Sequence, residues 1–507
     1  MARVLVWMSA ATLLASVAVL GAQASDEDVA KRQLESGRAF ARQGNYAEAL
    51  KDFRAVADTH ATSSVADNAL LEIARYYLDI AGNTKDAATA VDTILKNYAT
   101  SDSAPDAYVL AGRLALARSH QPADLDAALA NFERVLRLFP NSDVVPRSLV
   151  LAADTLFSAG RLNDALVNLG RVELEYPNDA AAADAHLAAG RVLLALGDPI
   201  AAMEELQQVR NSWSGTPQAA DALARITLIH RLYVRAKAGP AFALSTETAG
   251  PAKLSGGLAL AIGSNGVGYY ATENVAGGIT PNAPPAGVGT RPRGLALDNT
   301  GKVFVLEANA LRPIGGTSMV LSVPRPSGVT EALKSADAAV QLSNGDWLVM
   351  DNNERGIQRF GRDMKYIAPF TPAKFTRLAV NAVDEVAGLD RDKKQVLFYD
   401  ATAKLIGTLP LKGTGYEFQN PEDLAYDDFG HLYVLDRGTI AVFTPYAAAP
   451  ATGAAAAPAP RATYRLLTAY SEGQAPTAFR RAMAFALDRT GAVYLYDDRA
   501  ERVLVYR

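Results

Sequence analysis

The stretch RPRGLALDNTGKVFVL, residues 291–306, decides how half of this chain is read. Leu295, Ala296 and Leu297 form a short apolar strand. Asp298, Asn299, Thr300 and Gly301 have turn composition, and residues 302–306 return as a second strand. One hairpin carries little weight, but this one recurs. PEDLAYDDFGHLYVLD at 421–436 and MAFALDRTGAVYLYDD at 483–498 are close copies, and 258–273, 338–353 and 377–390 are weaker ones. With Gly266, Gly301, Gly345, Asp384, Gly430 and Gly491 as anchors, the spacing is about 35 to 46 residues with one longer gap. Small sheets repeating on that scale bury their faces only against their neighbours. The pattern therefore predicts a six-bladed β-propeller over residues 241–507.

The units at 291 and 421 resemble NHL repeats, the blades of six-bladed propellers. The shared features are Pro292, Gly294, Leu295 and Ala296, the Asp-x-x-Gly turn, and an aromatic-rich second strand ending in Glu307 or Asp436. The last unit lacks the leading proline and the unit at 377 lacks the turn glycine. Residues 274–290 are Gly/Pro-rich and read as a loop. Residues 446–463 are Ala/Pro-rich and read as a disordered excursion that accounts for the long gap. The terminal strand 502–506 is expected to pair with residues 241–246, closing the ring.

Residues 29–238 have helical period, abundant alanine and little strand signal. His60, Tyr98, Phe139, Tyr176 and Trp213 each close a unit, about 37 to 41 residues apart. Upstream of each lies a small residue with a larger apolar one four positions on: Ala49 and Phe53, Ala87 and Val91, Ala128 and Phe132, Ala165 and Leu169, Ala202 and Leu206. The small residue lets two helices approach, and the larger one packs on the same face a turn later. The array resembles the tetratricopeptide (TPR) repeat, whose Ala-x-x-x-Phe…Pro half is met by Ala128, Phe132 and Pro140, although the tryptophan of its first helix is missing. Tyr-Pro-Asn at a repeat end resembles the repeats of bacterial envelope proteins. The fold class expected is multidomain α and β: an α-solenoid of TPR-like hairpins followed by the propeller. Residues 217–238 read as the last solenoid helix and the seam to the strand half.

Residues 1–24 read as a signal peptide, with Arg3 ahead of an apolar run and small residues before Ser25. The chain has no cysteine, which excludes disulfides, thiol nucleophiles, Cys-bound zinc and a lipobox lipid. An exported, soluble, periplasmic or secreted protein is expected, with no stable membrane insertion after cleavage. A net charge of −4 and export both argue against nucleic acid.

For chemistry, the sequence holds no Gly-x-Ser-x-Gly elbow, phosphate loop or His-Glu-x-x-His. No catalytic residue and no metal ligand set is assigned. Calcium is the one ion that an inward Glu, Asn and Asp set of a lactonase-like propeller could hold. Most of the available acids, however, stand at the end of each second strand, where a recurring turn role explains them. His431, in the Asp428-Phe429-Gly430-His431 turn, reads as an exposed turn residue. Arg293, Arg377, Glu422, Asp423, Arg480 and Arg481 stand where inner strands begin, at one channel mouth. The arginines suit a carboxylate, an acidic peptide or an acidic glycan, or else pair with the acids as a structural ring. The first helices of the solenoid offer Arg38, Arg42, Arg75, Tyr76, Tyr108, Arg113, His186 and Arg191 to a concave partner-binding face. The expectation is a non-enzymatic protein-binding scaffold of the bacterial cell envelope. The alternatives are a calcium-dependent propeller hydrolase or lyase and a glycan or peptidoglycan sensor.

Overall fold

The computed structural model describes residues 25–118, 121–245, 249–251, 253–286, 291–325, 328–351, 355–445, 464–471, 479 and 481–507. The expected signal peptide (1–24), the Ala/Pro-rich segment (446–463) and Arg480 lie outside the described residues. The chain divides into two compact units, Met1–Leu114 and Ala115–Arg507.

In the first unit, helical hairpins are built from α1 (Asp26–Arg42), α2 (Tyr46–Thr59), α3 (Ala66–Arg75, continued by a π-helical turn, Tyr76–Ile80) and α4 (Thr84–Asn97). Helix α5 (Ala104–Arg118) crosses the division. The second unit continues with α6 (Pro122–Leu138), α7 (Val145–Ser158), α8 (Leu162–Glu175), α9 (Ala180–Ala195), α10 (Pro199–Ser212) and α11 (Pro217–Ile229), which runs on into a π-helical turn, His230–Arg235. The residues expected to close each unit are the C-caps of the second helices: His60, Tyr98, Phe139, Tyr176 and Trp213. Asn83, Asp179, Asp198 and Thr216 cap following helices through their side chains, each accepting an otherwise unpaired backbone N–H. All five small–large pairs named above are buried. Each larger member contributes about 1.5–3 kcal/mol through burial.

The strand half is six sheets around a ring. Blade 1 has β1 (Gly257–Ile262), β2 (Gly268–Thr272) and β3 (Ala276–Gly278). Blade 2 has β4 (Gly294–Leu297), β5 (Val303–Glu307), β6 (Ala310–Pro313) and β7 (Met319–Val320). A two-stranded hairpin, β8 (Ser322–Pro324) and β9 (Thr330–Ala332), follows it. Blade 3 has β10 (Ala336–Gln341), β11 (Trp347–Asp351), β12 (Gly356–Phe360) and β13 (Tyr366–Thr371). Blade 4 has β14 (Arg377–Val380), β15 (Val386–Asp390), β16 (Gln395–Tyr399) and β17 (Leu405–Leu409). Blade 5 has β18 (Pro421–Tyr426), β19 (Leu432–Asp436), β20 (Thr439–Pro445) and β21 (Tyr464–Tyr470). Blade 6 has β22 (Ala482–Leu487), β23 (Val493–Asp497) and β24 (Arg502–Tyr506). The innermost strands β1, β4, β10, β14, β18 and β22 each touch the next, and β22 touches β1, so the ring is complete.

Closure follows the expected route. Ala243 and Arg507 exchange two backbone hydrogen bonds at 2.9 Å, and Ser245 N–H donates to the Val505 carbonyl at 2.8 Å. This segment supplies the outer strand that blade 6 otherwise lacks. Two expectations need correction. The Gly/Pro-rich stretch after Asn274 is not wholly loop, because β3 pairs with β2 from Ala271↔Ala276 to Tyr269↔Gly278. His431 is not exposed: it retains 2% of its accessible surface, because α11 and its π-helical turn cover the blade 5 turn. There Leu228 and Leu232 enter the core of blades 5 and 6 with Tyr433, Phe485 and Leu495, while Ile229 packs back onto α9 and α10.

Candidate functional site: a channel mouth, a cleft and a helical face

The inner strands enclose a channel of about 720 Å³. At the end where they begin, Arg377 reaches from blade 4 across the bore. Its Nη2 donates to the Leu258 carbonyl of blade 1 at 3.1 Å, and its Nε stands 3.3 Å from Asp423 of blade 5. Asp423 also accepts the Leu424 N–H at 2.9 Å and the Phe485 N–H of blade 6 at 3.1 Å. One carboxylate thus ties three blades. Burial raises the Asp423 carboxyl, opposed by the Arg377 charge and these hydrogen bonds. Glu422 is likewise raised by burial, although Arg391 is 2.7 Å away and Asn420 also donates to it. Arg481 is 68% exposed and lies 3.3 Å from Asp498. Arg293 lines the same channel, is exposed, and its side chain has no hydrogen bond or ion pair among the described residues. The structure thus brings Arg377 and Asp423 together, gives Glu422 and Arg481 other partners, and leaves Arg293 open.

At the opposite end the turns between first and second strands meet the helices of the same unit. Asp221 on α11 takes Arg225 at 3.1 Å and also Arg489, which lies 3.6 Å from Asp428. Beside this end is a cleft of about 500 Å³ lined by α7, α9 and blades 4 and 5, including Phe157, Leu194, Val383, Glu385, Pro445 and Tyr464. Buried Glu385 accepts the Tyr426 hydroxyl at 2.7 Å and the Tyr464 hydroxyl. Burial, then the Glu385 charge, pushes both phenols well above their ordinary range. Nothing in the sequence signals this cleft, because its helical and propeller walls come from segments more than 140 residues apart. His431 bridges Asp427 and Tyr233 at 2.7 Å on each side, and burial pushes the Tyr233 phenol up to about 12.

On the helical half, most residues expected on a concave face are committed to neighbouring hairpins. Arg38 pairs with Glu72 at 3.0 Å, Arg75 with Asp106 at 2.7 Å, Arg113 with Asp79, and Arg191 with Asp154. Arg191 also lies over the Phe157 ring at 4.4 Å. Tyr76 packs on Tyr46 at 5.3 Å, Tyr108 is half-buried, and Arg42 is exposed. His186 on α9 stands 2.7 Å from Glu205 on α10 and 3.4 Å from Glu173 on α8. Burial opposes the charged imidazolium, but the Glu205 hydrogen bond and both carboxylate charges outweigh it, so its pKa is raised. Glu173 is raised by burial and by Glu205. The spacing from 173 to 205 is ordinary repeat spacing, so nothing in the sequence distinguished this triad.

The chain is a TPR-like helical array followed by a six-bladed β-propeller. Its residues 27–149 match the family described as YfiO, outer membrane lipoprotein. No curated protein matches. Among solved structures, a thermophilic TPR protein of Thermus thermophilus is 15% identical, covering 39% of this chain and all of its own, with a TM-score of 0.31. A gluconolactonase of Xanthomonas campestris is 11% identical over 50% of this chain and 86% of its own, with a TM-score of 0.36. A virginiamycin B lyase of Staphylococcus aureus is 14% identical over 50% of this chain and 82% of its own, with a TM-score of 0.33. No helix among the described residues is long and apolar enough to cross a membrane.

Proposed function

We propose that this chain is a non-enzymatic protein-binding scaffold of the bacterial cell envelope, holding partners on its helical array and on a propeller face. The observation that carries this reading is the match of residues 27–149 to an outer membrane lipoprotein family, on an array built of TPR-like hairpins. Repeat arrays present broad preformed surfaces, and such surfaces suit protein partners. At the propeller mouth, Arg377 spans the bore to the opposite blade and Asp423 is engaged by three groups. That arrangement favours a structural plug over a calcium-dependent hydrolase or lyase site.

A second reading rests on Arg293, an exposed guanidinium at that mouth without a side-chain partner among the described residues. It suits one oxygen pair of an acidic peptide or glycan.

Photo-crosslinking from Arg42 and from Arg293 in the producing cell tests both readings. Discrete envelope-protein adducts from Arg42 support the scaffold, and acidic glycan captured from Arg293 supports the second reading. Neither kind of adduct, together with a stoichiometric calcium ion whose chelation abolishes a hydrolase or lyase activity, would sink both.

A further inference from the structure

We propose that Glu173, His186 and Glu205 form a binding site for one divalent transition-metal ion of the zinc class, linking α8, α9 and α10. The three potential ligand atoms lie within 4.8 Å of one another. In a tetrahedral site with bonds of about 2.0–2.1 Å, neighbouring ligand atoms stand about 3.3 Å apart. The His186 Nδ1 to Glu173 separation is 3.4 Å and the His186 Nδ1 to Glu205 separation is 2.7 Å. Small side-chain adjustments therefore convert a hydrogen-bonded triad into a coordination shell.

The surrounding charges point the same way. Elsewhere on the array, half-buried carboxylates meet arginine: Glu72 with Arg38, Asp106 with Arg75, Asp154 with Arg191. Glu173 and Glu205 face each other with one imidazole between them and no lysine or arginine partner among the described residues. Two carboxylates held together out of bulk water call for a cation. An imidazole ligand favours zinc-class ions over calcium or magnesium, which take oxygen. The side chains are 17–28% exposed, which shields the site and leaves a fourth position open to water. Trp213 lies 5.7 Å from the imidazole and restricts its ring orientation. The ion would staple two consecutive hairpins, and its binding free energy would add to their stability.

The test uses the tag-free full chain, stripped with chelator, titrated with Zn²⁺ by calorimetry and with Co²⁺ by visible absorption. One equivalent is expected, with tetrahedral Co²⁺ bands and a higher melting temperature in Zn²⁺ than in chelator. His186→Ala is expected to weaken binding about 100-fold, while His60→Ala leaves it unchanged. Glu205→Gln, which keeps volume and a hydrogen-bond partner, gives the same reading should His186→Ala fail to fold. Titrations without a one-equivalent step, or a step that survives in the triad variants, would overturn the proposal.

Discussion

Asp423 lines the channel and Arg481 immediately precedes the inner strand β22, yet their surroundings assign them opposite energetic weights. Removing the Asp423 carboxylate leaves the Phe485 N–H and the Arg377 guanidinium without their partner. Asp423→Ala is therefore expected to cost about 3 kcal/mol in urea unfolding. The Arg481–Asp498 pair is largely in water, so Arg481→Ala is expected to change stability by less than about 0.5 kcal/mol. The triad gives a pH prediction. His186 and Glu173 both hold protons more tightly when folded, so the unfolded chain releases them first and stability falls as pH rises. The histidine contribution is complete below its unfolded value of 6.5 and is lost as pH climbs through the raised folded value. The glutamate shift acts in the same direction above its unfolded 4.5. In chelator, the melting-temperature deficit of His186→Gln relative to wild type should be larger at pH 6 than at pH 9.

Elements in both halves meet through close approaches that only certain residues allow. A Cβ at Gly190 on α9 would stand 2.9 Å from Leu206 and 3.2 Å from the Ala202 carbonyl oxygen on α10. Gly190→Val must push the helices apart and is expected to cost about 1–3 kcal/mol. Gly160 faces open space but has φ +75°, so Gly160→Ala pays only for a left-handed backbone, about 1 kcal/mol. Thermal melts of the two variants separate packing from conformation. The blade turns show how local chemistry can hide from a composition rule. Asp298, Asp427 and Asp488 each accept two backbone N–H groups of their own turn, ahead of a glycine with positive φ. Blade 4 builds the same turn from Asn381, which accepts the Val383 and Glu385 N–H groups, with Asp384 at φ +58° in the glycine position. Asparagine replaces aspartate as the acceptor, and aspartate tolerates the left-handed backbone, so the repeat persists after its sequence signature is gone.

At the scale of the whole molecule, residues 115–507 form one compact unit in which the last helices and the propeller share a core. The hydroxyl of Tyr233 meets His431 at 2.7 Å inside that seam. Tyr233→Phe keeps the ring packing but leaves a buried imidazole nitrogen without its partner. It is expected to cost about 1–3 kcal/mol, read as a lower urea midpoint for the unit's transition. The six blades, the repeat closers, the small–large helix pairs and the closing strand were all legible in the sequence. Each is written by local composition at a fixed period, and nearest-neighbour packing repeats that local rule. The burial of His431, the commitment of Arg38, Arg75, Arg113 and Arg191 to adjacent hairpins, the reach of Arg377 across the bore and the Glu173–His186–Glu205 triad were decided only by the tertiary structure. Each depends on which side chains meet after distant segments are stacked or the ring is closed, and a charge's role follows from the partner and burial it then acquires.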